Sequence, residues 1–574
     1  MGYRKRIELR VCLAAIGLTW MVVGGAWATE HPLLNLMQSE LDLSKKKLKS
    51  SEGTVPYFIQ YTVADTRSLR LGATLGAITR NQQDHSRTLV VDVRCGGYRL
   101  DNTHQIRGGR FGRGRRGGFG GWARLPLNDD PVATRHAIWL ETDGAFRRAV
   151  NRLAQVEANV KVKVEEDDTS DDFSREEPGV YIGAWKDFSV DREFFIGKVR
   201  KYSRAFRDHP LIYGSSVTLT GRLTNRLIVN SEGSKLQVAR EWWRIGIQAS
   251  TIAEDGMELS QYKTFDSHSP GGLPDDATVM KGVDEVIRDV LALREAPIVE
   301  PYMGPAILMN RAAGVFFHEI FGHRIEGHRQ KDVEEGQTFA KKIGKEVLPS
   351  FLSIVDDPSK VRFGKTELNG YYAFDDECVR GQPVRLVENG VLKTFLLSRS
   401  PTRGFTKSNG HGRCQVGRKP VSRQGNLIVE STRQMPFEKL RERLIEECKK
   451  QDKEYGLLFK DISGGFTTTG RRGPQAFKVL PIVVYRVHVD GRPDELVRGV
   501  DIVGTPLTCF SKILCTADDP DIFNGVCGAE SGSVPVSAIS PSILVEQIEI
   551  EKKQKAQDRP PILDAPIASE KKVG

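Results

Sequence analysis

Beyond residues 11–28, no window of this 574-residue chain is apolar and long enough to cross a bilayer as a helix, which takes about 20 residues. A G-x-S-x-G with a credible partner for a catalytic triad is missing as well. The one approach to a P-loop, Gly364-Lys365-Thr366, has Ser359 where the first glycine belongs, and no helix pattern follows it. These absences exclude a polytopic membrane protein, a G-x-S-x-G hydrolase and a Walker-type nucleotide site. Internal repeats are absent too. Cysteine is scarce, with eight residues, and Cys12 lies in the N-terminal apolar stretch. The other seven are an odd set, so at least one thiol is free or bound to something other than a second cysteine. No pairing follows from their positions.

The remaining composition, 39% hydrophobic and 28% charged, is that of ordinary globular proteins. The length exceeds what a single core supports, so two or more domains are expected. Residues 1–28 differ from the rest. Arg4, Lys5, Arg6 and Arg10 precede an apolar run that ends in Ala26-Trp27-Ala28, the pattern of a secretory signal peptide cleaved before Thr29. Export, with a bacterial periplasm as the destination, and no membrane span after cleavage are the expectations. Removing four basic residues and Glu8 from a net charge of +10 leaves +7. Five of those charges, Arg107, Arg110, Arg113, Arg115 and Arg116, sit in the Arg/Gly-rich stretch 107–121. It reads as a solvated surface loop, and in an exported protein no nucleic-acid role is expected of it.

Periodicity predicts an amphipathic helix over 33–48, strands over 57–63, 69–78 and 88–93, and helices over 131–162 and 191–207. Strands are expected over 217–219, 227–230, 237–248 and 261–265, and a helix over 275–294. A buried strand at 304–309 then leads into a helix over 311–325. From Gly370 the pattern is mainly β, with a helix near 436–450 and a last strand at 543–550. The fold class is α+β in two parts, 29–290 and 291–551, with a polar tail over 552–574.

The densest chemical signal is the run 317–328, FHEIFGHRIEGH, which holds three of the chain's 11 histidines. Imidazole ligates zinc, and a glutamate beside the first ligand can take a proton from activated water, as in H-E-x-x-H peptidases. Here the spacing is H-E-x-x-x-H. Residues five apart on a regular helix are separated by about 140°, because each advances 100°. The helix must therefore widen or unwind between His318 and His323, and Gly322 permits it. Catalytic zinc takes three protein ligands. Glu326 and His328 are local candidates for the third; Cys527, in Gly525-Val526-Cys527-Gly528 and read as lying on a turn, is a distant one.

HEIFGHRIEG resembles the HE-x-x-GH-x-x-EG signature of TldD in the TldD/PmbA family, once called modulators of DNA gyrase. GYYAFDDE at 370–377, VENGVLKTFLL at 387–397, Ser408-Asn409-Gly410 and GVCGAESGSVPVSAISPSILV at 525–545 are similar to later family landmarks in the same order. The resemblance spans about 290–548 and more weakly the N-terminal part. It implies a two-domain zinc metallopeptidase whose metal is held by His318, His323 and Cys527 and whose general base is Glu319. It also implies peptides or unfolded polypeptide as substrate, and a homodimer or a heterodimer with a PmbA-like paralogue. The chain departs from the family at His328, where an acid is expected, and in its Arg/Gly stretch. The competing reading is a noncatalytic peptide-binding or scaffold subunit, against which the retained Glu319 argues. The Asp375-Asp376-Glu377 cluster is expected to cap a turn or to support the site from outside the ligand set.

Overall fold

A computed structural model of the chain describes residues 29–105, 121–161, 168–332, 335–470, 477–504, 506–553, 560–561 and 563–569. The signal-peptide reading of 1–28 and the Arg/Gly stretch, apart from Gly121, lie outside the described residues.

The first helix, α1 (Pro32–Lys47), buries Leu33, Leu34, Met37 and Leu41 along one side. A long hairpin follows, β1 (Pro56–Thr74) and β2 (Ala77–Cys95), closed by Leu75 and Gly76, both at positive φ. Two consecutive residues of that kind form the tight turn whose twist matches paired strands. The stretches 57–63 and 69–78, expected as separate strands, are thus one strand that ends in a turn. The polar stretch between them reads as a break in sequence, but Asp65 is buried and paired with the Arg87 guanidinium of β2 at 2.8 Å.

β3 (Gly121–Arg124) joins the outer edge of β2. α2 (Pro131–Val160) starts where the Asp130 carboxylate accepts a hydrogen bond from the Ala133 amide, with Pro131 in its first turn. β4 (Val180–Ile182) and α3 (Arg192–Arg204) precede the long strands β5 (Gly214–Asn230) and β6 (Lys235–Ile252), and β7 (Glu258–Ser267) pairs with β6. The result is a seven-stranded sheet in the order β3-β2-β1-β5-β6-β4, with β7 beside β6. α1 to α3 and α4 (Asp276–Glu295) pack on one face, where Tyr61, Leu71, Leu219 and Trp243 point. The alternate residues of β1, β5 and β6 point away from the helices.

β8 (Tyr302–Leu308) opens the second part. It pairs with the strands Tyr455–Thr467 and Ile543–Lys552, within an eight-stranded sheet. A six-stranded sheet ends in the hairpin of Asp521–Ala529 with Gly532–Ser540. The helix α5 (Asn310–Ile320) lies between the two, touching Tyr455–Thr467 on one side and that hairpin on the other. Its Ala312, Ala313, Phe316, Phe317 and Ile320 fill the main core of this part.

Candidate metal centre

α5 ends at Ile320, five residues short of the expected helix over 311–325. Its last α-type bond runs from the Phe321 amide to the Phe317 carbonyl at 3.0 Å. A 3-10 turn, Gly322–Arg324, follows, and the Arg324 amide bonds to the Phe321 carbonyl at 2.9 Å. His318 therefore stands on the helix and His323 on the tighter turn, which removes the one-face constraint that five-residue spacing imposes. Glycine suits this position sterically: a Cβ there would overlap the side-chain amide of Gln424. That amide donates to the His318 carbonyl at 3.3 Å, so Gln424 occupies the space where the helix opens.

Cys527 reaches the same place from 200 residues away. It sits inside the edge strand Asp521–Ala529, opposite Val534, and the turn falls at Glu530 and Ser531. The expected placement of Cys527 on a turn is thus corrected: an edge strand aims the thiol at α5. The Arg423 guanidinium holds the Cys527 carbonyl at 2.8 Å. Cys527 Sγ lies 3.3 Å from His323 Nε2. One donor atom each from His318, His323 and Cys527 lies within 4.8 Å of the others, the one such cluster among the described residues.

His318, Glu319, His323 and Cys527 are each between 6% and 8% exposed. Burial opposes a thiolate, but the His323 and His318 imidazoles outweigh it and hold the Cys527 thiol well below its usual range. Burial likewise opposes a charged imidazole, yet Cys527 and Glu326 hold His323 well above its ordinary value. His318 Nδ1 is buried with no hydrogen-bond partner. A thiolate, imidazole nitrogens and an orphaned ring nitrogen suit a zinc ion, which favours sulfur and nitrogen donors.

Glu319 follows the first histidine, and its Oε2 is 4.0 Å from His323 Nε2, the ring nitrogen facing Cys527. The backbone of Gly465 in the strand Tyr455–Thr467 closes over it: a Cβ on Gly465 would stand 2.7 Å from Glu319 Cγ. The Arg324 guanidinium ties down the free carbonyls of Glu319 and Ile320 at 3.3 and 3.0 Å, as cations do at helix C-termini.

Of the two local candidates for a third ligand, neither joins the cluster. Glu326 Oε1 lies 3.3 Å from Nδ1 of His323, away from the Nε2 that faces Cys527. It is fully buried, and Arg329 donates to its other oxygen at 2.7 Å. Burial would raise its pKa, but His323, Arg329 and Arg423 bring it down to about 2. A carboxylate on the far nitrogen orients a ligating imidazole. His328 is hydrogen-bonded to Glu530, the acid at the turn beyond Cys527, and Arg329 bridges Glu530 at 3.0 Å. Asp375 caps a turn through the Glu377 and Val379 amides, both at 2.9 Å, and Asp376 pairs with Arg226 of β5. The acidic cluster thus joins the two parts of the chain and does not enter the metal centre. Arg423, Gln424, Gly465, Arg329 and Glu530 were not singled out from sequence; only their positions in space distinguish them.

Residues 302–552 match the family model described as the PmbA/TldA metallopeptidase C-terminal domain. The second part of the chain is thus similar to the C-terminal domain of the PmbA/TldD family. A metalloprotease of Methanocaldococcus jannaschii is 29% identical over 232 residues, 40% of this chain and 47% of that protein. A zinc metalloprotease TldD homologue of Saccharolobus solfataricus is 25% identical over 277 residues, 46% of this chain and 57% of that protein. This chain spans about half the length of the curated relatives it matches first. The solved structure of TldE from Thermococcus kodakarensis superposes with a TM-score of 0.60 at 14% identity, covering 90% of this chain and 100% of that one. The likeness to the TldE fold therefore extends over both parts of the molecule. Among the described residues no helix is long and apolar enough to cross a membrane.

Proposed function

We propose that the chain is a zinc-dependent peptidase in which His318, His323 and Cys527 hold the metal and Glu319 is the general base. The observation that carries this reading is the meeting of His318, His323 and Cys527, from a helix, a 3-10 turn and an edge strand, with the Glu319 carboxylate beside them. When bound, zinc supplies Lewis acidity toward water and the scissile carbonyl. Glu319 Oε2 takes the proton of the attacking water and delivers it to the departing amine. The Glu326 carboxylate, 3.3 Å from His323 Nδ1, favours a proton on that nitrogen, and Nε2 is left to face the metal. Peptides and unfolded polypeptide are the proposed substrates, and all four residues are buried, so the reacting bond is kept from bulk water.

The same reading places the protein outside the cytoplasm after removal of residues 1–28, as a dimer of two copies or with a PmbA-like paralogue. Mature protein that begins at Thr29 supports this setting; membrane-bound protein retaining Met1 contradicts it. The chemistry is tested with a fluorogenic unstructured peptide. Glu319→Gln lowers turnover by a factor on the order of 100 to 10,000 while zinc is retained. An equally active Glu319→Gln variant overturns the assignment of the base.

A further inference from the structure

The sheet face that turns away from the helices carries arginines that the peptidase reading leaves unused. On β6, Arg240, Trp242 and Arg244 alternate along that face, and Arg222 of β5 stands directly opposite Trp242. Residues in such register lie within side-chain reach of one another. Arg244 and the Trp242 indole N–H are both taken by Asp266, at 2.8 and 3.0 Å. Arg226, farther along β5, is taken by Asp376. Among the described residues no carboxylate lies within ion-pair distance of Arg222 or Arg240. Arg222 is exposed and Arg240 half-buried, with one nitrogen donating to the Asn369 carbonyl. Burial together with the neighbouring Arg413 and Arg226 pushes Arg240 down to about 9. It remains cationic at neutral pH and lacks a counter-charge.

This face abuts both strands that flank the metal centre. The Arg244 guanidinium donates to the Asn524 carbonyl at 3.2 Å, and Asn524 lies three residues before Cys527 on the same strand. At about 3.3 Å per residue that is roughly 10 Å. On the other side Tyr262 of β7 donates to the Ile462 carbonyl at 3.2 Å, three residues before the Gly465 that covers Glu319. The Arg244 end of this face therefore lies about three strand residues from Cys527, and Trp242, Arg240 and Arg222 continue the face away from it.

We propose that the face around Trp242, with Arg222 and Arg240 as its cations, is a subsite for a carboxylate of the polypeptide substrate, from an acidic side chain or from the chain's C-terminus. The planar guanidinium fork suits a carboxylate, and the Trp242 ring beside it offers an apolar wall. The inference rests on the peptidase reading and deepens it.

The test uses four fluorescein-labelled peptides of one sequence, with Glu or Gln at one position and a free or amidated C-terminus. Their binding to zinc-loaded Glu319→Gln protein is followed by anisotropy, and their hydrolysis by the parent gives kcat and KM. The Gln, amidated peptide binds about tenfold more weakly than the best of the set. Preference for Glu over Gln identifies a side chain, and preference for the free over the amidated end identifies the terminus. Arg222→Glu abolishes the preference, raising KM for the charged peptides with little change in kcat, and Arg240→Lys retains it. Equal binding of all four peptides, or a preference that survives both Arg222→Glu and Arg240→Gln, overturns the subsite. If the parent hydrolyses none of them the peptidase reading fails, while the anisotropy still decides whether the arginine face binds carboxylates.

Discussion

Gly465→Ala tests whether the backbone over Glu319 sets the position of the base. The added Cβ would stand 2.7 Å from Glu319 Cγ and 3.1 Å from the Lys478 carbonyl oxygen. Relaxing the carbon–carbon contact to its ordinary separation takes about 1 Å. The strand cannot supply all of it, because Gly465 is paired with Val479 across the hairpin. Glu319 therefore retreats, and a displacement of that size at a reacting group costs on the order of 100-fold in turnover. The metal ligands are not touched, so zinc content stays at the parental level. The assay is kcat and KM on an unstructured peptide alongside metal analysis of the same sample. Parental kcat in a folded, zinc-loaded Gly465→Ala protein would refute the claim that this contact places the base.

Three further perturbations separate the surrounding roles. Glu326→Ala removes the carboxylate to which Arg329 donates and the negative charge beside Arg423 and His323 Nδ1; it should destabilise the fold by about 3–5 kcal/mol in chemical denaturation and weaken zinc binding about 10- to 100-fold. Gly322→Ala forces the Gln424 amide away from the His318 carbonyl, and a zinc titration should show lower affinity, whereas unchanged affinity would show that the helix opening tolerates a side chain. His328→Ala removes a hydrogen bond to Glu530 and no proposed ligand, so zinc stoichiometry should match the parent; loss of the metal would bring His328 back as a ligand.

Much of the centre was legible in the chain because its chemistry is local. The run 317–328 carries the two histidines of the cluster and the glutamate proposed as the base, and the five-residue step already required the helix to give way near Gly322, as it does after Ile320. The third member of the cluster was not legible from the residues alone. Glu326, His328 and Cys527 are all acceptable zinc donors, and only the resemblance favoured the distant cysteine. The fold shows what separates them: Glu326 lies against the far nitrogen of His323, His328 pairs with Glu530, and Cys527 faces His323 Nε2. The division of β1 failed for a related reason. Its polar middle looks like a break until Asp65 meets Arg87 on a neighbouring strand, and periodicity carries no information about such a partner. Gly465 and Gln424 belong to the same class, since their importance lies in what a side chain would strike.

Zinc stoichiometry of the Cys527→Ala protein bears most directly on the central claim, because it removes the one ligand supplied from outside the histidine segment. Parent and variant are purified, gel-filtered free of loose metal, and measured for zinc and peptide hydrolysis together. The parent should carry about one zinc per chain, and the variant, left with two imidazoles, should lose metal and activity together. A Cys527→Ala protein that keeps about one zinc per chain and normal turnover contradicts the account.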